Sequence, residues 1–199
     1  MLKFSNRSFI TIFLLIGCIV FFANSVNAEE KKFYVGLGAS HQGNNYDFED
    51  IVDWDESTWG INAKFGYSLT PAVSFQFDVD WIADVEGVLK SDPSLGGDVE
   101  VQTGIFSLKG YFPTSKPVKP FIIVGAGIMH YDVDINDSAQ SLGEVGDDET
   151  DLCLKIGGGL DVFINQSFSI GLEGNYTAGN EKVKAVEYWN FILSAAYHF

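Results

Sequence analysis

From Glu187 to the end of the chain, Trp189, Phe191, Leu193, Ala195, Tyr197 and Phe199 alternate with Asn190, Ser194, Ala196 and His198. An apolar/polar period of two predicts a strand with two unlike faces. The pattern recurs upstream. Trp59, Ile61, Ala63, Phe65 and Tyr67 alternate with Gly60, Asn62, Lys64, Gly66 and Ser68, and Val73, Phe75, Phe77, Val79 and Trp81 alternate with Ser74, Gln76, Asp78 and Asp80. Leu152, Leu154, Ile156, Leu160 and Val162 oppose Asp151, Cys153, Lys155, Gly157, Gly159 and Asp161, while Phe168, Ile170, Leu172 and Tyr176 oppose Ser169, Gly171, Glu173 and Asn175. Eight strands are predicted in all, near 32–41, 58–68, 73–83, 99–112, 120–133, 151–164, 167–177 and 188–199. In the fourth, Val99 and Val101 fall on one parity and Phe106, Leu108 and Phe112 on the other, which predicts a bulge near Thr103–Gly104.

The predicted connections alternate in length. Those after strands two, four and six are Leu69 to Ala72, Pro113 to Lys119 and Asn165–Gln166, whereas those after strands one, three and five run for over a dozen residues. This is the spacing of an all-β, eight-stranded antiparallel up-and-down barrel with one elaborated rim, one trimmed rim and both ends of the chain on the trimmed side. No internal repeat or linker divides it.

A period of two does not say which face is inside, and a soluble lipocalin-like barrel would be apolar within. Gly36, Gly38, Gly60, Gly66, Gly157, Gly159 and Gly171 all lie on the polar face, where they weaken water-facing strands but relieve crowding in a narrow lumen. The other face carries Trp, Phe, Leu and Ile, as a lipid-facing wall does. Aromatics gather at both ends of it: Trp59, Trp81, Tyr131, Tyr176 and Trp189 toward the long loops, and Phe33, Tyr67, Phe75, Phe121, Phe168, Tyr197 and Phe199 toward the short turns. Two such girdles mark a transmembrane barrel. No segment after residue 28 reaches the roughly 20 apolar residues of a spanning helix, so the crossing is by strands.

Residues 1–28 read as an export signal: Lys3 and Arg7, the apolar run Phe9 to Phe22, and Val26-Asn27-Ala28 before a cleavage site after Ala28. Leu15-Ile16-Gly17-Cys18 is the competing lipoprotein signal, weakened by the apolar Ile19-Val20-Phe21-Phe22 that follows it. Removing 1–28 takes away two basic residues and no acids. The remaining 171 residues, 29–199, then hold 10 bases against 27 acids, a net charge of −17 that argues against nucleic acid as a partner. Cys153 is left as their only cysteine, so no intrachain disulfide forms.

On Phe33-Tyr34-Val35-Gly36-Leu37-Gly38, Lys119-Pro120-Phe121 with Gly125-Ala126-Gly127, Gly157-Gly158-Gly159-Leu160-Asp161 and Tyr197-His198-Phe199, the chain resembles the small eight-stranded outer-membrane barrels that include the OmpA transmembrane domain, OmpW and OmpX/Ail. The resemblance implies a Gram-negative outer-membrane location with periplasmic termini. It also implies that Phe199 is the terminal aromatic recognised during membrane assembly. The implied partners are outer-membrane lipid and lipopolysaccharide, the barrel-assembly machinery during biogenesis, and a surface ligand reached through the loops, for a monomer without cofactor.

Candidate chemistry is concentrated in the lumen. Lys64, Lys109 and Lys155 share the inferred interior with Asp78, Asp80, Asp161 and Glu173, and buried charges persist when paired and hydrogen-bonded. This network reads as a salt-bridged plug, with an ion gate as the alternative. Enzyme readings find little support. Lipid A deacylases of the PagL type need a His/Ser pair two residues apart, but His130-Tyr131-Asp132 has aspartate there; no His, Asp and Ser set of the PagP type stands out; an omptin-type protease needs a larger barrel. His130 reads as lumen filling, and His41 and His198 show no better partner. The loops after strands one, three and five are acidic, with Lys90 as their only base. Clustered carboxylates suit hard cations, yet Asp132-Val133-Asp134-Ile135-Asn136 has Asp137 in place of the EF-hand glycine and Gly143 in place of its glutamate, so a solvated surface is expected and no metal site. The function expected is structural or recognitional and non-enzymatic. The alternatives are an OmpW-like path for small apolar molecules and a lipid A-modifying barrel with an atypical site.

Overall fold

The computed structural model describes residues 32–46, 51–52, 57–89, 96–135, 148–180, 183 and 186–199. Alternating sequence produces long strands: β1 (Phe33–Tyr46), β2 (Ile51–Val52), β3 (Ser57–Thr70), β4 (Val73–Leu89), β5 (Gly96–Tyr111), β6 (Val118–Ile135), β7 (Asp148–Phe163), β8 (Phe168–Gly179) and β9 (Val186–His198). Eight of them form one antiparallel sheet in the order β4-β3-β1-β9-β8-β7-β6-β5, and β5 pairs back onto β4, so the sheet closes. The two-residue β2 only extends β4, through Ile51–Leu89 and Val52–Val88. Near the chain's end, Phe33 and Phe199 exchange backbone hydrogen bonds of 3.1 and 2.9 Å, which fastens the closing seam between β1 and β9.

The stagger of the barrel follows from its pairings. A row that leaves β1 at Asn44 runs through Tyr188, Thr177, Lys155, Gly125, Ser107, Gln76 and Gly66 and returns to β1 at Tyr34, a shear of 10 residues. A closed sheet with such a shear tilts its strands by about 35–45° and leaves an interior that side chains can fill. Leu37, Ile61, Phe106, Ile128, Leu154 and Leu193 are exposed on the outer wall, whereas Asn62, Asp78, Lys155 and Glu173 are buried within. The polar face is therefore the inner one.

Three sequence expectations are corrected. No bulge falls at Thr103–Gly104, because β5 keeps an unbroken register with β6 from Gly97 to Tyr111; the irregularity lies on β4, between Ile82 and Val85. The parity conflict arises because Val99 and Val101 point inward with Ile105 while Phe106 and Leu108 point outward. Two girdle aromatics also change sides: Tyr131, 4 % exposed, and Phe121, 3 % exposed, face the lumen. Lastly, the second long connection, expected to span 84–98, shrinks to 90–95 because β4 and β5 go on pairing from Val85–Val99 to Val88–Gly96.

The inward glycines make room for large neighbours. A Cβ on Gly66 would fall within the Tyr34 ring, whose hydroxyl donates to Gln76 Oε1 at 2.7 Å. On Gly36 it would meet Lys64 Cγ at 2.9 Å, and on Gly171 it would meet Asp161 Oδ1 at 2.7 Å. Gly66→Val is expected to cost about 2 kcal/mol or more by overpacking. At Gly110 a Cβ would touch only Ile122 Cγ1, at 3.7 Å, so Gly110→Ala should be neutral or slightly stabilising. Urea unfolding of the detergent-solubilised barrel measures both, and equal losses would contradict this account of the inward glycines.

Candidate functional site

The lumen changes character from one end to the other. Toward the short turns, two residues from the end of β5, Lys109 Nζ lies 2.7 Å from Asp161 Oδ2 and 3.7 Å from the centre of the Phe121 ring. The same carboxylate oxygen accepts the Tyr111 hydroxyl at 2.7 Å. Deeper in, Lys155 Nζ sits between Asp78 Oδ2 at 3.0 Å and Glu173 Oε1 at 3.3 Å, and Lys64 Nζ reaches Glu173 Oε2 at 3.4 Å. Asp78 also accepts hydrogen bonds from Gln76 at 2.8 Å and Ser107 at 3.3 Å.

Of the seven charges singled out in the sequence, six thus stand in ion pairs. Asp80 does not join a lysine; it accepts from Asn62 Nδ2 at 2.9 Å and Thr103 Oγ1 at 3.2 Å. All seven are buried, where a pair repays its desolvation only with close geometry and further hydrogen bonds. Asp78 and Asp161 meet that condition with neutral donors beside their lysines. What these contacts do chemically is fill and fix the lumen: each lysine is taken up by a carboxylate.

Toward the long loops the interior is apolar. Ile82 on β4, Val99, Val101 and Ile105 on β5, Met129 and Tyr131 on β6, Cys153 on β7 and Val186 and Tyr188 on β9 form one buried cluster, joined by Val183 from the β8–β9 connection. The charges read from the sequence thus occupy only part of the lumen. The missed signal was there: on β6 the inward and the outward residues are both apolar, and on β5 the apolar Val99 and Val101 face inward against outward Glu100 and Gln102.

The histidines sort differently from expectation. His130 is not lumen filling; it continues the outward parity of Ile122, Val124 and Ile128 past the apolar belt, where its Nδ1 lies 2.8 Å from Thr150 Oγ1. His41 is also on the outer wall, 4.8 Å ring to ring from Trp59. His198 has a partner the sequence did not suggest: its Nε2 lies 2.8 Å from Ser169 Oγ, a buried pair between the rings of Tyr34 at 5.3 Å and Phe163 at 5.1 Å. This pair packs the short-turn end of the lumen as expected of a structural contact, and Asp161 nearby on β7 is committed to Lys109 and Tyr111. Among the described residues, no group of three His, Cys, Asp or Glu side chains is arranged to hold a metal ion. Most of the acidic loop residues, among them Asp47, Asp53, Asp92, Asp137 and Asp147, lie outside the described residues, as do Cys18 and the cleavage position Ala28.

Comparison with known proteins agrees with this architecture. The profile of the family described as outer membrane protein beta-barrel domain matches residues 12–199. Among solved structures, Neisserial surface protein A is 19% identical over 84% of this chain and 97% of its own, with a TM-score of 0.59. The attachment invasion locus protein Ail of Yersinia pestis is 17% identical over 86% of this chain and 100% of its own, TM-score 0.58, and has also been solved in complex with the heparin analogue sucrose octasulfate. OprG of Pseudomonas aeruginosa is 12% identical over 86% and 97%, TM-score 0.63. At these identities the likeness concerns the fold. No curated protein matches the chain in sequence.

Proposed function

Because the chain belongs to the outer membrane protein β-barrel domain family, we propose that it is a non-enzymatic outer-membrane barrel whose role is envelope integrity and surface interaction through its long loops, with the short turns and both termini periplasmic. The observation that supports this reading is the filled lumen: among the described residues, a paired ionic layer and a buried apolar cluster occupy the interior, which leaves little room for a solute path. The work then falls to the outer wall and the loops.

Charge selects the kind of surface partner. A sulfated ligand of the type bound to Ail has the wrong sign for loops whose many carboxylates outnumber three lysines, Lys90, Lys182 and Lys184. A basic peptide or a protein with a basic face suits them, with attraction that weakens as salt rises. The apolar upper lumen favours one second reading, passage of small apolar molecules, which the close burial of the same residues opposes.

The test is a deletion strain complemented with the intact protein or with a form whose loops are cut to short turns. Both should restore resistance to detergent, and only the intact form should bind polylysine-coated surfaces in a salt-sensitive way. Faster uptake of an apolar dye on complementation would favour the second reading, and an acyl-chain mass change in lipid A would contradict the non-enzymatic one.

A further inference from the structure

On the β8–β9–β1–β3 side of the lumen lies a third set of inward side chains, next to Glu173 and Lys64, whereas on the β4–β5 side the ionic layer meets the apolar cluster directly, Asp78 pairing with Ile105. Gln42 on β1, Asn190 on β9 and Asn175 on β8 are direct cross-strand neighbours, and Asn62 on β3 pairs across from Asp80. All four carboxamides are at least 98 % buried. Yet Gln42 Oε1, Asn62 Oδ1, Asn190 Oδ1 and Asn175 Oδ1 have no hydrogen-bond partner among the described residues. Buried carboxamides without partners are unfavourable in a dry setting, and water is the partner that such groups ordinarily take.

We infer that this side of the lumen holds a closed, hydrated chamber, adjoining the ionic layer at Glu173 and Lys64 toward the short turns and the apolar cluster at Tyr188 toward the long loops. Its lining sets what it accepts. Carboxamide oxygens and Asp80, held by Asn62 and Thr103 rather than by a lysine, favour water and small cations over anions.

The two boundaries are unequal barriers. In the lower one, Glu173 is shared by Lys64 and Lys155, so an entering cation finds carboxylates that can exchange partners. In the upper one, Ile82, Val101, Met129 and Val183 offer an ion no ligand at all, so the apolar cluster is the stricter seal. Val183 is anchored for this place: its backbone N–H donates to Asn180 O, and that of Asn180 to Leu152 O, each at 2.9 Å. Gly179 makes the approach feasible, since a Cβ there would lie 2.6 Å from the Val183 carbonyl carbon.

Cys153, a member of the upper cluster, reports on that seal. The experiment treats the full-length protein, purified folded in detergent, with a trimethylammonium methanethiosulfonate reagent, with Cys153→Ala as background. Cys153 should react about 100-fold more slowly than in the urea-unfolded chain, as expected for a site reached only through rare opening. Val183→Ser, or Val101→Ser if the first variant folds poorly, should speed the reaction about tenfold, and more than Lys155→Met does when each variant is compared at the same unfolding free energy in urea. Rapid labelling of the unmodified protein, or equal acceleration by Lys155→Met at matched stability, would overturn the ranking of the seals. Water-edited solid-state NMR tests the chamber itself: magnetisation from water should reach the Asn175 and Gln42 carboxamides well before the Met129 methyl. Equal, slow transfer to all three would mean that this side of the lumen is dry.

Discussion

Phe199→Asp, or deletion of Phe199, should abolish most folded protein in the outer membrane while export proceeds normally. The family resemblance implies an assembly-signal role for this residue, which we propose here, and Phe199 closes the seam: Phe33 and Phe199 are joined backbone to backbone, and their rings lie 6.0 Å apart. Phe199 also stacks near Tyr197, at 6.2 Å, in an aromatic band that reaches Phe168 and Tyr67. An aspartate there sets a charge at the lipid interface and removes the recognised ring. Immunoblots of fractionated cells read the outcome, with periplasmic degradation products rising as the barrel falls. Phe199→Trp should restore insertion. His198→Ala is unsuited as a silent control, because it breaks the bond to Ser169 and empties the space between Tyr34 and Phe163. Normal insertion of the Phe199→Asp protein would remove the assembly role from this residue.

Lys155→Ala should be the most damaging substitution in the lumen, lowering stability by about 3–5 kcal/mol because it leaves two carboxylates buried with less than their counter-charge. Lys155 serves Asp78 and Glu173 together, whereas Lys109 serves Asp161 alone and keeps Tyr111 as a second donor to it. Lys109→Ala should therefore cost less. The double change Lys155→Met with Asp78→Leu, which removes charge from both sides, should recover part of the loss. Urea titration of folded protein in detergent, followed by mobility on unboiled gels, gives all three values. A Lys155→Ala protein as stable as the unmodified one would mean that the lumen charges are solvated rather than paired.

The barrel was legible where its two faces differ in polarity. On β3, β4, β7, β8 and β9 the inward Asn62, Asp78, Lys155, Glu173 and Asn190 stand against outward apolar neighbours, so parity alone assigned the faces. On β5 the faces swap polarity partway, from inward Val99 and Val101 to inward Ser107 and Lys109, and on β6 parity could not assign them. Phe121, Ile123 and Met129 point inward while Ile122, Val124 and Ile128 point outward, and a run that is apolar on both faces carries no period to read. That is why Tyr131 and Phe121 were expected in the girdles and why a change of filling looked like a bulge. The charges themselves were legible, but their partners were not. Lys64 and Glu173 are 109 positions apart and meet only because the stagger of the closed sheet brings β3 and β8 to one height. Likewise, the Ser169–His198 pair depends on the register of β8 with β9, which no local spacing reveals.

Planar-bilayer recording of the refolded, unmodified protein tests the filled lumen most directly. The ionic layer and the apolar cluster in series predict that insertion, verified by heat-shifted mobility on gels, adds no steady current above that of the protein-free bilayer. A stable, porin-like conductance from the same preparation would contradict a closed barrel.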